Sequence, residues 1–147
     1  MTVTNPLLVA IDASVLAQWI LPDEDPNPGT LRLVNDVHAE RVVLIAPRLL
    51  RAELANVLSV SVRRGRISAE NATLCLEAIS GLNLVFADID VLAVTRFSLL
   101  AGISVYDANY VVVAERHRCV LYTADQRMIR ATRPYSDRVR PISDYGV

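Results

Sequence analysis

The stretch Ser104-Val-Tyr-Asp-Ala-Asn-Tyr-Val-Val-Val-Ala-Glu-Arg-His-Arg-Cys-Val-Leu-Tyr-Thr-Ala-Asp-Gln-Arg127 constrains this chain more than any other. Asp107 stands at the mouth of a helical pattern through Tyr110, Val111 and Ala114. Asp125 stands just past a short apolar strand, Cys119–Thr123. One αβ unit therefore brings two carboxylates to one edge of a sheet. Each alone has an ordinary explanation, because aspartate caps helices by accepting orphan backbone N–H groups and suits the positive end of the helix dipole. A larger role requires more acids at the same edge.

The rest of the chain supplies two. Leu7-Leu-Val-Ala-Ile11 is a continuous apolar run, the pattern of a strand buried on both faces of a parallel sheet, and Asp12 follows it directly. Ser14 is placed to cap the next helix, whose apolar positions Val15, Leu16, Trp19 and Ile20 keep a 3.6 period until Pro22. Ligands of open α/β sheets bind beyond the carboxyl ends of strands, so Asp12 is a functional candidate with Ser14 as its support. The other acid is Glu53, in a long helix that follows the strand Val42–Ala46, with Pro47 in its first turn and its end near Arg64. Leu49, Leu50 and Val57 lie at i−4, i−3 and i+4 from it, which sets it on or beside the apolar stripe. A carboxylate there needs a partner or a cation. Arg51 and Asn56 are its local candidates.

Other segments read more plainly. Asp23–Gly29 is a loop whose acids are expected in solvent, and Thr30–Glu40 is helical. Arg63-Arg-Gly-Arg66 closes the long helix, with a phosphate-contacting edge as the less favoured reading. Ser68 starts a helix to Gly81, Leu84–Phe86 is a third strand, and Asp88 and Asp90 open a helix to Gly102 as first-turn acids with no further role. Val139–Ile142 is a short last strand. Strands alternating with helices predict a single-domain α/β sandwich over 1–147 with a mainly parallel sheet.

Composition narrows the chemistry. All fifteen basic residues are arginine, which excludes a P-loop lysine, a Schiff base and the lysine of a haloacid-dehalogenase site. From Asp12 to Glu40 six acids face the single Arg32, whereas seven arginines face three acids from Arg116 to Val147. Cys75 and Cys119 sit singly in apolar patterns, without the spacing of a zinc site, and are expected in the core. Met1–Pro6 lacks a basic leader and the run to Ile11 stops at an acid, so a cytoplasmic protein is expected.

Four carboxylates at one sheet edge would repel one another unless a divalent cation neutralised them, and oxygen ligands alone favour Mg²⁺ or Mn²⁺ over zinc. A hydrated ion of that kind suits phosphodiester hydrolysis. Spacing alone does not establish that the four converge.

Asp12-Ala-Ser-Val-Leu after an apolar strand, Glu53-Leu-Ala-Asn-Val-Leu before Arg64-Gly-Arg, Tyr106-Asp107-Ala closing on Ala114-Glu115, and Thr123-Ala-Asp125-Gln-Arg together resemble the PIN-domain ribonucleases of the VapC toxin type. The match is ordered and spans nearly the whole chain. The resemblance implies a three-layer α/β/α sandwich around a mainly parallel sheet, cutting single-stranded or looped RNA, often as a homodimer, with a cognate antitoxin protein that blocks the site. It makes Asp12, Glu53, Asp107 and Asp125 the acidic quartet around one or two Mg²⁺ or Mn²⁺ ions. Ser14 and Thr123 would orient carboxylates, and the products would carry 5′-phosphate and 3′-hydroxyl ends. Arg116, Arg127, Arg130 and Arg133 are then candidates to flank the site and meet RNA phosphates. Two alternatives stay open. An aspartate-nucleophile phosphatase would want an acid where Ser14 stands and the lysine this chain lacks. A non-catalytic RNA-binding or protein-interaction module is suggested by a mean hydropathy of +0.32.

Overall fold

A computed structural model describes residues 5–147; residues 1–4, part of the segment read above for a leader, lie outside them. Five strands form one sheet in the order β3-β2-β1-β4-β5, and every neighbouring pair is parallel. The strands are β1 (Leu7–Ile11), β2 (Val42–Pro47), β3 (Leu84–Ala87), β4 (Val120–Thr123) and β5 (Val139–Pro141). The apolar run of β1 has a direct cause, since it is the central strand. Val9, Ala10 and Ile11 point alternately to opposite faces, and each is at most 1% exposed. At the edge, β3 leaves Val85 exposed.

Seven helices complete the sandwich: α1 (Ala13–Ile20), α2 (Pro28–His38), α3 (Leu49–Arg63), α4 (Ala69–Ser80), α5 (Val91–Ala101), α6 (Val105–Arg116) and α7 (Gln126–Thr132). Helix α6 packs on β1, β2 and β4 and against α5, while α1 touches α2, α3 and α4. One core joins these layers, including the fully buried Leu16, Leu33, Leu44, Leu50, Tyr110 and Leu121. Each such aliphatic side chain contributes about 1.5–3 kcal/mol relative to exposure. No single helix among the described residues is long and apolar enough to cross a membrane. Cys75 and Cys119 are free and buried, as expected of core cysteines.

Gly29, in the first turn of α2, shows why that helix fits where it does. A Cβ there would lie 1.8 Å from the carbonyl oxygen of Ile142, in the 3-10 helix Ile142–Asp144. That short helix takes the place of the last residue expected in β5.

Several local expectations are corrected. Pro47 ends β2, because pairing with Ala87 of β3 carries the strand one residue further; α3 starts at Leu49 with no side-chain cap. Helix α2 begins at Pro28 because Asn27 caps it, accepting from the Gly29 N–H at 2.8 Å. Asp23 and Glu24 stay at the surface as expected, but there they accept from Arg66 at 2.7 and 2.8 Å. Arg66 thereby ties the end of α3 to the α1–α2 loop. Asp90 caps α5 as an N-terminal acid should, but Asp88 pairs with Arg48 at 2.5 Å.

Candidate active site

The register of the central strands builds the site. Ile11 pairs with Tyr122, so the next residues, Asp12 and Thr123, emerge side by side at the carboxyl end of the sheet. Asp12, rather than Ser14, is the N-cap of α1: its Oδ1 accepts from the N–H groups of Ser14 at 3.0 Å and Val15 at 3.3 Å. Ser14 lies inside the helix and its hydroxyl donates to the same oxygen at 2.5 Å, while accepting from the Ala124 N–H at 2.9 Å. The Thr123 hydroxyl donates to Asp12 Oδ2 and accepts from the Asp125 N–H at 3.0 Å. One hydrogen-bonded chain thus links Asp12 to Asp125 across the β1–β4 seam. Asp12 is only 4% exposed, and burial pushes its carboxyl above the usual range even though these four donors oppose the rise.

Glu53 enters from α3. Its partner is neither Arg51 nor Asn56: the hydroxyl of Tyr110, on α6, donates to Glu53 Oε2 at 2.6 Å. Tyr110 is 1% exposed, so its hydroxyl could not stay unpaired without cost. Desolvation raises the Glu53 carboxyl first, the Tyr110 bond opposes the rise, and the charges of Asp107 and Asp12 add to it. The charges of Asp107 and Asp12 act on both Glu53 and Tyr110, which places these three acids in one field. Asp107 is free to take part because Ser104 caps α6, accepting from the Asp107 N–H at 3.0 Å. Asp107 also lines a cleft with Asp125 and Arg127. Asp125 caps α7 through its Oδ1, and the Arg127 guanidinium is 3.8 Å from that oxygen.

The structure therefore brings Asp12, Glu53 and Asp107 into one electrostatic group and joins Asp125 to it through Thr123 and the shared cleft. None of the ion pairs among the described residues involves Asp12, Glu53 or Asp107. No three acids among the described residues already stand close enough to cage one ion. Mg²⁺ needs no such cage, because it keeps several waters and takes one or two carboxylates directly. The donor set, all oxygen and short of positive charge, fits a hydrated Mg²⁺ or Mn²⁺.

The arginines divide. Arg127 lines the acid cleft, and Arg130 and Arg133 are exposed along and just beyond the same helix. Arg116 lies at the far end of α6, about 14 Å along the axis from Asp107 by helical rise, and pairs with Asp90 at 3.4 Å. Tyr110 is the site residue that sequence reasoning did not single out. It stands three residues after Asp107 but meets an acid 57 positions away, a contact with no local signal.

The family model described as "PIN domain" matches residues 9–134. A VapC ribonuclease of Mycobacterium bovis is 30% identical over 108 residues, covering 71% of this chain and 85% of the relative. Ribonuclease VapC9 of Mycobacterium tuberculosis matches with the same identity and coverage. Among solved structures, PAE2754 from Pyrobaculum aerophilum superposes with a TM-score of 0.68 at 23% identity, covering 93% of this chain and 92% of that one. FitAcB from Neisseria gonorrhoeae gives 0.62 at 17% identity, covering 92% and 99%.

Proposed function

The chain belongs to the PIN-domain family, in its VapC-type branch, and from that premise we propose that it is a divalent-cation-dependent endoribonuclease, the toxin of a toxin–antitoxin pair. One arrangement supports the reading most: Asp12, Glu53 and Asp107 near one another at the carboxyl end of a parallel sheet, the charges of Asp107 and Asp12 adding to the raised Glu53 carboxyl, with no arginine among the described residues paired to any of the three. Asp12, Glu53, Asp107 and Asp125 would hold Mg²⁺ or Mn²⁺. The bound ion would offset charge on the scissile phosphate and acidify water for attack.

The chain's own residues do the positioning. Ser14 and Thr123 fix both oxygens of Asp12, and Tyr110 fixes Glu53. Arg127, beside Asp125, presents a guanidinium to the RNA backbone, with Arg130 and Arg133 further along α7. Arg116 is the weakest member of that set, given its place and its pairing with Asp90. A homodimer and a cognate antitoxin complete the proposal, carried over from the family resemblance.

The test is cleavage of total cellular RNA by purified protein with Mg²⁺ or Mn²⁺, beside EDTA and Asp107→Asn controls. Discrete fragments with 5′-phosphate and 3′-hydroxyl ends are expected. They should vanish with EDTA and fall at least about 100-fold in the variant. Cleavage that persists in both controls, or folded wild-type protein that neither binds the metal nor cuts any RNA, would overturn the reading.

A further inference from the structure

Alongside the acid cleft lies a smaller, polar cavity of about 160 Å³, lined by Gln18, Asn27, Thr123, Ala124, Gln126 and Ser143 among others. The turn from β4 into α7 is the wall between the two. Ala124 and Gln126 line the cavity, while Asp125 and Arg127, alternating with them along the chain, line the cleft that holds Asp107.

Two side-chain amides are set in this cavity as donors. Gln18, on α1, accepts through Oε1 from the Asn27 N–H at 3.2 Å and from the hydroxyl of the fully buried Thr30 at 2.8 Å. Asn27 Oδ1 accepts from the Gly29 N–H at 2.8 Å. Only the oxygen of an amide can meet a backbone N–H, so these bonds fix which end of each amide is which. Neither NH₂ group has a hydrogen-bond partner among the described residues. Both keep accessible surface, because the one buried side-chain polar atom left unpaired among those residues is Asn109 Oδ1. The fold thus engages both carbonyls internally and leaves N–H donors for a ligand, with the Ser143 hydroxyl lining the same cavity.

The lining narrows the occupant. Room for about five waters, at about 30 Å³ each, suits a sugar ring and not a whole nucleoside. No arginine lines the cavity, so a phosphate there would face Asp125 across the turn with no cation to hold it. No aromatic ring lines it either, so an unstacked base would find no platform. Neutral donors beside an acidic site suit a neutral oxygen acceptor, and in an RNA strand the sugar hydroxyl is that group.

We propose that this cavity seats the ribose of a nucleotide flanking the scissile phosphate, with Gln18 Nε2 and Asn27 Nδ2 donating to its 2′-oxygen. The proposal rests on the ribonuclease reading and adds the residues that tell RNA from DNA, since the 2′-hydroxyl is the group that distinguishes the two at a given site.

The experiment is a titration of short random-sequence oligoribonucleotides, and of their deoxy counterparts, into the protein in EDTA, followed by the side-chain amide signals of Gln18 and Asn27 in NMR spectra. The RNA pool should shift both sets of signals and bind about tenfold more tightly than the DNA pool. Gln18→Glu combined with Asn27→Asp keeps every bond that the two carbonyls accept and replaces both donors by oxygens. Its added charge weakens both pools alike, whereas the preference for RNA should disappear. Equal affinities in the wild type, unmoved Gln18 and Asn27 signals, or a preference that survives the double variant would overturn the assignment. A cleavage assay separates the two levels. Water is the proposed attacking group, so a 2′-deoxy substitution does not itself block the chemistry. RNA cut equally well with 2′-deoxy at every position removes the ribose site and leaves the nuclease. A preference for RNA carried by Gln18 and Asn27 in a protein that cuts no RNA supports the site and removes the nuclease.

Discussion

Thr123→Val tests the construction of the site at its seam. The side chain is 0% exposed, and its hydroxyl donates to Asp12 Oδ2 and accepts from the Asp125 N–H. Valine keeps the shape and removes both bonds. Stranding a buried, charged acceptor costs about 1.5–3 kcal/mol, and the half-buried N–H adds about 0.5–1, so a loss of about 2–4 kcal/mol is expected. Thr123→Ser keeps the hydroxyl and gives up one methyl, about 1 kcal/mol. Urea unfolding at pH 7 in EDTA should show a lower midpoint with an unchanged slope. The pH dependence has a definite sign. Burial already raises the Asp12 carboxyl, so the folded state holds its proton more tightly than the unfolded chain does. The stability this gives is full below the unfolded value and is lost as pH rises through the folded one. Removing the Thr123 donor raises the carboxyl further, so the gap between variant and wild type should narrow as pH falls through the Asp12 titration. A Thr123→Val protein within about 0.5 kcal/mol of wild type, and no less stable than Thr123→Ser, would refute the reasoning.

Three further outcomes can be checked. Glu53→Gln keeps an acceptor for Tyr110 and removes a half-buried charge that Asp107 and Asp12 repel, so the metal-free protein should gain about 0.5–2 kcal/mol at pH 7 while RNA cleavage collapses; an unchanged melting curve would contradict it. Gly29→Ala sets a methyl 1.8 Å from a backbone oxygen, so a loss of about 1–3 kcal/mol in thermal or urea unfolding is expected. Arg127→Ala with Arg130→Ala should weaken RNA binding and lower its salt slope by about 0.7 per lost phosphate contact, with the fold intact; an unchanged slope would remove these arginines from the interface.

What the sequence disclosed depended on whether the deciding contact was local. The central strand was legible because residues buried on both faces must be continuously apolar, and Leu7–Ile11 is. Ser68 and Asp90 were legible as helix starts because their partners lie three residues ahead. At the site itself, the local pattern points to Ser14 as the cap of α1 in support of Asp12, and Asp12 proves to be the cap. The backbone bonds to Asp12 settle the cap, and the β1–β4 register, which brings Thr123 to Asp12, adds the partner that no local pattern shows. Glu53 was recognised as lying on or beside the apolar stripe from helical spacing alone, yet the only candidate partners in view were those of its own helix, because Tyr110 belongs to another one. Asp23, Glu24 and Asp88 repeat the lesson, each paired with an arginine 40 or more positions away.

The hydrogen bonds at the sheet edge explain how a chain keeps several acids together before any cation arrives. The four donors to Asp12 hold both of its oxygens, but neutral hydroxyls and amides carry no compensating charge, and the carboxyl stays raised. Tyr110 holds one oxygen of Glu53, again without compensating charge. Orientation and neutralisation are therefore supplied by different parts of the system: the fold fixes the direction of the carboxylates, and positive charge has to come from outside them. The arginine-rich end of the chain brings some of it, with Arg127 in the cleft beside Asp107 and Asp125. Its guanidinium stands 3.8 Å from an oxygen already engaged as a helix cap and pairs with none of the other three acids. On the proposed function, the charge of Asp12, Glu53 and Asp107 is what a hydrated divalent cation would balance, and without it a phosphate would be repelled there.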